Sequence, residues 1–262
     1  MKKMEIERFP ILQVTEQGRS EIEDIVTTEF PLTIVLNNRE LVMLLCSPTK
    51  PDYLAIGFLF SEGLLKSKDE IKKITVDGHE GVVRVETTEE TGVVDKPLLK
   101  PLIASGGGRG ISYCRATDAL GLAKVESQIR VLPHEVFALV KEFVQRSRVF
   151  KATGGVHSAA LCDTQNILVF SEDIGRHNAI DKIFGECILE DIPIDERIII
   201  TSGRVSSEIL LKVARRNIAI LISKSAPTNL GVRLADDLGV TLIGFVRGER
   251  MNVYTNKWRV AA

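Results

Sequence analysis

Four cysteines in 262 residues, at positions 46, 114, 162 and 187, include no C-x-x-C pair and no zinc-like spacing. That argues against a disulfide frame and for reduced thiols in a cytoplasmic protein. No apolar run is long enough to cross a bilayer; "LVMLLC" and "IAILIS" fall far short. The opening "MKKMEIERFPILQVTEQ" has two lysines but no apolar stretch of signal-peptide length. Neither sign of charge dominates, with a formal net charge of −1 and a pI of about 6.5. Nucleic acid and membrane are therefore not expected partners, and any anion site must be a local cluster. The chain has no internal repeat, P-loop or dinucleotide fingerprint. A zinc deaminase needs H-x-E and P-C-x-x-C; here His157 is followed by Ser158 and Ala159, so no metal site is expected.

What remains is ordinary globular material, 44% hydrophobic and 26% charged. Phe30 to Cys46 reads as strand, Asn37-Asn38 turn, strand. Pro51 and Asp52 open a helix whose apolar spacing runs to Leu65, and "SKDE" from Ser67 has capping-box spacing for a short helix. "KITVDGHEGVVRVET" is a second hairpin, and "TEETGVVDKP" a linker. After Pro133 comes an amphipathic helix, then paired strands "GGVHSAALC" and "NILVFSED". Helices and strands alternate from there to "VTLIGFV". This pattern predicts an α/β protein with a mostly parallel sheet covered on both faces, preceded by a smaller mixed α+β part. We expect domains at 1–130 and 131–262, the first ending in a glycine-rich loop at 104–110.

In open α/β sheets ligands bind beyond the carboxyl ends of the strands. Three successive strands here end in a basic residue beside small ones. "IIIT" leads into Ser202-Gly203-Arg204, "AILI" into Ser223-Lys224-Ser225, and "LIGFV" into Arg247-Gly248-Glu249-Arg250. Helix N-termini and guanidinium forks at such ends suit phosphate, so a nucleotide-like polyanion is expected there. The polar stretch "EDIGRHNAID" adds Arg176, His177, Asn178 and Asp181 at a strand-to-helix junction. It reads either as a site element or as an N-cap cluster. His157, in an apolar strand after two glycines, has the ordinary look of a core histidine.

Several long segments fix a resemblance. "PLTIVLNNRELVMLLCSPTKPDYLAIGFLFSEGLL", "GGVHSAAL", "EDIGRHNAIDKIFG", "TSGRVSSEILLKVAR" and "SAPTNLGVRLADDLGVTLIGFVRGERMNVYT" stand in the order of the formate dehydrogenase accessory sulfurtransferases, the FdhD family. The resemblance runs from about Glu29 to Thr255. It implies a cytoplasmic homodimer whose C-terminal domain is a three-layer, cytidine-deaminase-like α/β fold without the zinc. It further implies bis-molybdopterin guanine dinucleotide as bound cargo, a cysteine desulfurase as sulfur donor and formate dehydrogenase as recipient. Phe245, Val246, Arg247, Gly248, Glu249 and Arg250 match the segment the family uses to hold the cofactor. With them as candidate cofactor-binding residues go Ser202, Gly203, Arg204, Lys224, Ser225, Arg176, His177, Asn178, Asp181 and His157.

One segment departs from the family. Its pattern there is S-C-G-x-C-G, and this chain has Ser105-Gly106-Gly107-Gly108-Arg109-Gly110, with Gly106 and Arg109 where the cysteines belong. Sulfur transfer needs a thiolate on an accessible segment. Cys114, between Arg109 and Arg115, is the candidate replacement; Cys46, Cys162 and Cys187 fall in apolar patterns and read as buried. Two readings stay open, a sulfurtransferase working through Cys114 and a non-catalytic carrier of the molybdenum cofactor.

Overall fold

The computed structural model describes residues 4–88 and 122–261. The glycine-rich loop, Gly106, Arg109, Cys114 and most of the expected linker lie outside the described residues.

The chain opens with a hairpin, β1 (Ile6–Thr15) and β2 (Gly18–Thr27), that forms a two-stranded sheet by itself. Next come β3 (Phe30–Leu36) and β4 (Arg39–Cys46). Their turn is made by Asn37 and Asn38 at φ 45° and 63°, the left-handed backbone that asparagine tolerates and a two-residue hairpin needs. Helix α1 spans Pro51–Ser61, and β5 (Ile71–Asp77) and β6 (Val82–Thr87) complete a four-stranded sheet in the order β4-β3-β6-β5. The expected short helix at "SKDE" is one 3-10 turn, Lys68–Glu70. Its capping box does not form, because Ser67 makes no side-chain cap and the Glu70 carboxylate instead accepts from Lys66 N at 2.9 Å.

The second half carries α2 (Pro133–Arg146), α3 (Arg148–Thr153), β7 (His157–Cys162), β8 (Ile167–Asp173), α4 (Arg176–Leu189), β9 (Ile198–Thr201), α5 (Ser207–Ala214), β10 (Ile220–Ser223), α6 (Asn229–Asp237), β11 (Thr241–Arg247) and β12 (Arg250–Val253). In α2 the buried Val136, Leu139, Val140 and Phe143 recur at helical spacing and face the core. Six strands form one sheet in the order β12-β11-β10-β9-β7-β8. Strands β9, β10 and β11 are parallel, whereas β7 and β12 run against their neighbours. The sheet is thus mixed rather than mostly parallel. A hairpin at each end supplies the antiparallel members, since a short turn reverses the chain and only a crossover keeps its direction. The fully buried "IIIT" and "ILIS" are what two-sided coverage requires.

The two halves meet through helices α1 and α4. A Cβ on Gly57 would lie 1.7 Å from the Asp181 carbonyl oxygen, and one on Gly185 would lie 1.8 Å from that of Tyr53. Only glycine allows the two backbones so close. Buried ion pairs reinforce the junction. Lys182 Nζ lies 2.7 Å from the Asp173 carboxylate and 3.2 Å from Ser47 O, with both charged side chains fully buried. Lys212 is 2.7 Å from Asp181, which also accepts from Ser61 Oγ at 2.6 Å. Among the described residues no helix is long and apolar enough to cross a membrane.

Candidate functional site

Topology gathers the candidate residues along one edge of the six-stranded sheet. Strand β8 is antiparallel to β7, and β7 to β9, so β8, β9, β10 and β11 all point the same way. Their carboxyl ends therefore share an edge with the start of β7, where His157 stands opposite Asp173. The turns after these strands deliver Arg176, Ser202 to Arg204, Lys224 with Ser225, and Arg247 to that edge.

The loops are stitched together by serine hydroxyls and backbone groups. Ser223 Oγ donates to Gly203 O at 2.7 Å and accepts from Ser225 N at 2.9 Å. Phe245 N donates to Ser225 O at 3.2 Å. The hydroxyl of Ser202 accepts from Ser158 N at 2.9 Å and lies 3.2 Å from His157 Nδ1. Because that oxygen already takes the amide hydrogen, its own proton is available to the imidazole. Gly203 makes the assembly compact. A Cβ there would sit 3.0 Å from Arg176 Cβ and Cδ and 3.4 Å from His157 Nδ1.

Like charges crowd this edge. Burial, then Arg176 and His177, hold the His157 imidazole below its usual range. Arg176 is depressed by burial and by Arg204, and Lys224 by burial and by Arg247. The cations form two neighbouring groups, Arg176 with Arg204 and Lys224 with Arg247, at the ends of adjacent strands. An arrangement that penalises its own positive charge is one an anion relieves.

The segment 245–250 has an unusual backbone. Phe245 is a non-glycine residue at φ 53°, where the β11–β12 register shifts between Gly244 and Arg247. Gly248 at φ 57° then allows the tight turn that pairs Arg247 with Arg250. Strain of this kind persists only where surrounding structure enforces it, and it clusters at ligand sites. The Arg247 guanidinium lies 6.0 Å from the Phe245 ring centre, and Arg247, Gly248, Glu249 and Arg250 are exposed. Val246 is fully buried.

Not every candidate faces the edge. Asn178 donates to Leu45 O and to Asp173 Oδ1, both at 2.9 Å, and Asp181 spends its carboxylate on Lys212 and Ser61. Both side chains are buried and serve the junction between the halves. His177 lies between, its Nε2 3.1 Å from Glu208, which it holds below the usual carboxylate range. Glu208 was not among the candidates, although it closes the "SGRVSSE" segment. Lys182 and Lys212 were missed too; a lysine inside an apolar helix pattern was the available signal.

Cys46, Cys162 and Cys187 are buried as expected. Burial pushes the thiols of Cys46 and Cys187 up to about 12, and raises that of Cys162 as well. Among the described residues no cluster of three His, Cys, Asp or Glu side chains could hold a metal. A cavity of about 560 Å³ lies elsewhere, lined by Phe30, Leu32, Val76, Arg148, Val149 and Phe170 among others, and includes none of the strand-end candidates.

Comparison with known proteins gives the family and the fold. A sequence model of the FdhD/NarQ family matches residues 27–261. The sulfur carrier protein FdhD of Bacillus subtilis is 44% identical over 246 residues, covering 94% of both chains. That of Staphylococcus haemolyticus is 38% identical over 262 residues, covering 100% of this chain and 99% of the relative. The crystal structure of a formate dehydrogenase accessory protein from Desulfotalea psychrophila superposes with a TM-score of 0.84. It is 27% identical and covers 98% of this chain and 100% of its own.

Proposed function

The chain belongs to the FdhD/NarQ family, and from that premise we propose that it is a formate dehydrogenase accessory protein that holds bis-molybdopterin guanine dinucleotide as cargo. The observation that carries the reading is the convergence of Arg176, Arg204, Lys224 and Arg247 on one sheet edge beside the Ser202–His157 pair. The guanine dinucleotide arms carry the phosphates such an edge suits. The exposed guanidiniums of Arg204 and Arg247 would take phosphate oxygens, and the strained Phe245 to Arg250 turn would offer backbone N–H groups and an aromatic face. Buried Asn178, Asp181 and Val246 would act from behind, by holding α4 and β11 in place.

For sulfur delivery the account is narrower. A cysteine desulfurase supplies sulfur as a persulfide, and the acceptor must be an accessible thiolate. Cys46, Cys162 and Cys187 are buried and held as thiols. Carriage by this chain therefore falls to Cys114. The second reading is a carrier that delivers the cofactor without transferring sulfur, and the replacement of both family cysteines by Gly106 and Arg109 favours it. In either case we propose a cytoplasmic homodimer whose six-stranded unit is akin to the cytidine deaminases.

Two experiments test this. Calorimetric titration with GDP reads the cradle, and Arg247→Ala should weaken binding; no binding to the wild type would end the reading. Incubation with a cysteine desulfurase, labelled cysteine and pyridoxal phosphate, followed by mass spectrometry, separates the two roles. Label on Cys114 that vanishes in Cys114→Ser makes the protein a sulfurtransferase. No label, with a desulfurase active on a relative that keeps its C-x-x-C, makes it a carrier.

A further inference from the structure

The cavity near Phe30 is built by both halves of the chain. Strand β3, the segment leading into α1 and the end of β5 wall it from one side, and the α2–α3 junction with β8 from the other. At about 560 Å³ it has the size of a small-molecule site, and such sites favour the junctions between units. Rings dominate its apolar lining: Phe30, Phe170, Pro48 and Pro51 stand there with Leu32 and Val149. Phe30 and Leu32 are only 6% and 1% exposed, so the walls are continuous with the core. The Phe170 ring is held edge-on against Phe143, their centroids 5.7 Å apart and their planes at 68°. Interiors leave few voids larger than a water molecule, so a pre-formed apolar space of this size is suited to a ligand.

Charge narrows the choice of ligand. Six charged side chains line the cavity, three of each sign, so a ligand with net charge would leave it unbalanced. Most of the six are engaged within the chain. Lys50 pairs with Glu186 and donates to Phe170 O at 3.3 Å, and Arg146 lies 2.6 Å from Glu142. Both Glu172 oxygens accept backbone N–H groups, from Val149 and Phe150 at 3.0 Å. Exposed Asp77 closes its own turn, accepting from His79 N and Glu80 N at 2.9 and 3.0 Å. Two residues keep capacity. No carboxylate among the described residues pairs with Arg148. Half-buried Glu5 uses Oε1 on the Thr49 hydroxyl at 3.0 Å, which leaves Oε2 able to accept. One guanidinium and one carboxylate oxygen are therefore open to an entering molecule, beside a space walled by rings.

We propose that the cavity binds a free amino acid with an aromatic side chain. Its carboxylate lies on the Arg148 guanidinium, a planar fork that matches two carboxylate oxygens. Its ammonium lies on Glu5. Its ring packs among Phe30, Phe170 and the two prolines, where offset and edge-on contacts add to apolar burial. Each ligand group then meets its complement, and the lining stays neutral in sum. A peptide bond at either end would remove one of the two charges, so the free amino acid is selected over a peptide. The site is separate from the sheet edge, whose cations suit a polyanion.

The test is calorimetric titration of the full chain with phenylalanine and with two analogues that each lack one charge, phenylpropionate and phenethylamine. Phenylalanine should bind the wild type, and each analogue should bind about tenfold or more weakly. Arg148→Gln should weaken phenylalanine and phenylpropionate while leaving phenethylamine unchanged. Glu5→Gln should weaken phenylalanine and phenethylamine while leaving phenylpropionate unchanged. Arg39→Gln, at the far end of β3, should bind phenylalanine as the wild type does. Without ligand, the denaturant midpoints of these variants should match the wild type; the two analogues decide the matter on the unaltered protein whatever the variants' stability. No binding of phenylalanine at about 1 mM, an analogue as tight as phenylalanine, or a loss in Arg148→Gln shared by phenethylamine would overturn the proposal.

Discussion

Two sets of charges lie within a few residues of each other on the same elements and behave in opposite ways. In the junction between the halves, Lys182 meets Asp173 and Lys212 meets Asp181, every partner buried and supplied by the chain itself. At the sheet edge, burial and then the Arg204 charge depress Arg176, and burial and then the Arg247 charge depress Lys224. Helix α4 contributes to both, Arg176 to the edge, Asp181 and Lys182 to the junction. Matched charge of this kind holds a fold together; crowded like charge is what an anionic ligand completes.

That contrast can be broken most sharply at the junction. Lys182→Met removes one partner of a buried pair and should cost about 3–5 kcal/mol of stability, read in a denaturant midpoint. Gly57→Ala should be comparably damaging, since its new methyl would sit where the Asp181 carbonyl is. Neither loss should be recovered by adding GDP to saturation.

Substitution at the edge should do the reverse. Arg204→Ala or Arg247→Ala should leave the midpoint within about 0.5 kcal/mol, as exposed positions do. Each should weaken GDP by about 1.5–3 kcal/mol by calorimetry, the worth of a charge-assisted contact. The wild-type affinity should fall as ionic strength rises, because much of the edge is solvent-exposed.

The smallest effect concerns pH. The folded state holds His157 below its ordinary value near 6.5. The neutral imidazole therefore contributes stability that is present above that value and is lost as pH falls below it. Glu208, held below its ordinary 4.5, contributes stability that is present above that value and is lost as pH falls further. Midpoints measured from pH 7.5 to 5.5 should drift downward by less than about 1 kcal/mol, and His157→Gln should flatten that drift.

Much of this was legible from sequence, for local reasons. Asn37-Asn38 announced a hairpin because few residues accept positive φ, and the basic residues that recur at the strand ends were legible as a cluster on one edge once the strand order is known. The glycine and arginine at 106 and 109 are legible only against the family pattern. The polar stretch 172–181 was not resolved, because composition does not say which side of a helix faces the neighbouring half; Asn178 and Asp181 turn inward on account of Leu45, Ser61 and Lys212, all distant in sequence. The strain at Phe245 accompanies a register shift that no residue type encodes, and β12 is reversed by the short turn at Gly248. The first hairpin went unread because its apolar residues sit on both faces, which blurs the alternation that marks a half-buried strand.

The central claim is that the sheet edge, not the cavity near Phe30, holds the nucleotide arms of the cargo. Its most direct test is titration of GDP into the wild type, Arg247→Ala and Arg148→Ala, the last altering a cavity residue. The account predicts that Arg247→Ala loses at least tenfold in affinity and that Arg148→Ala matches the wild type. Unchanged binding by Arg247→Ala together with a loss in Arg148→Ala would contradict it.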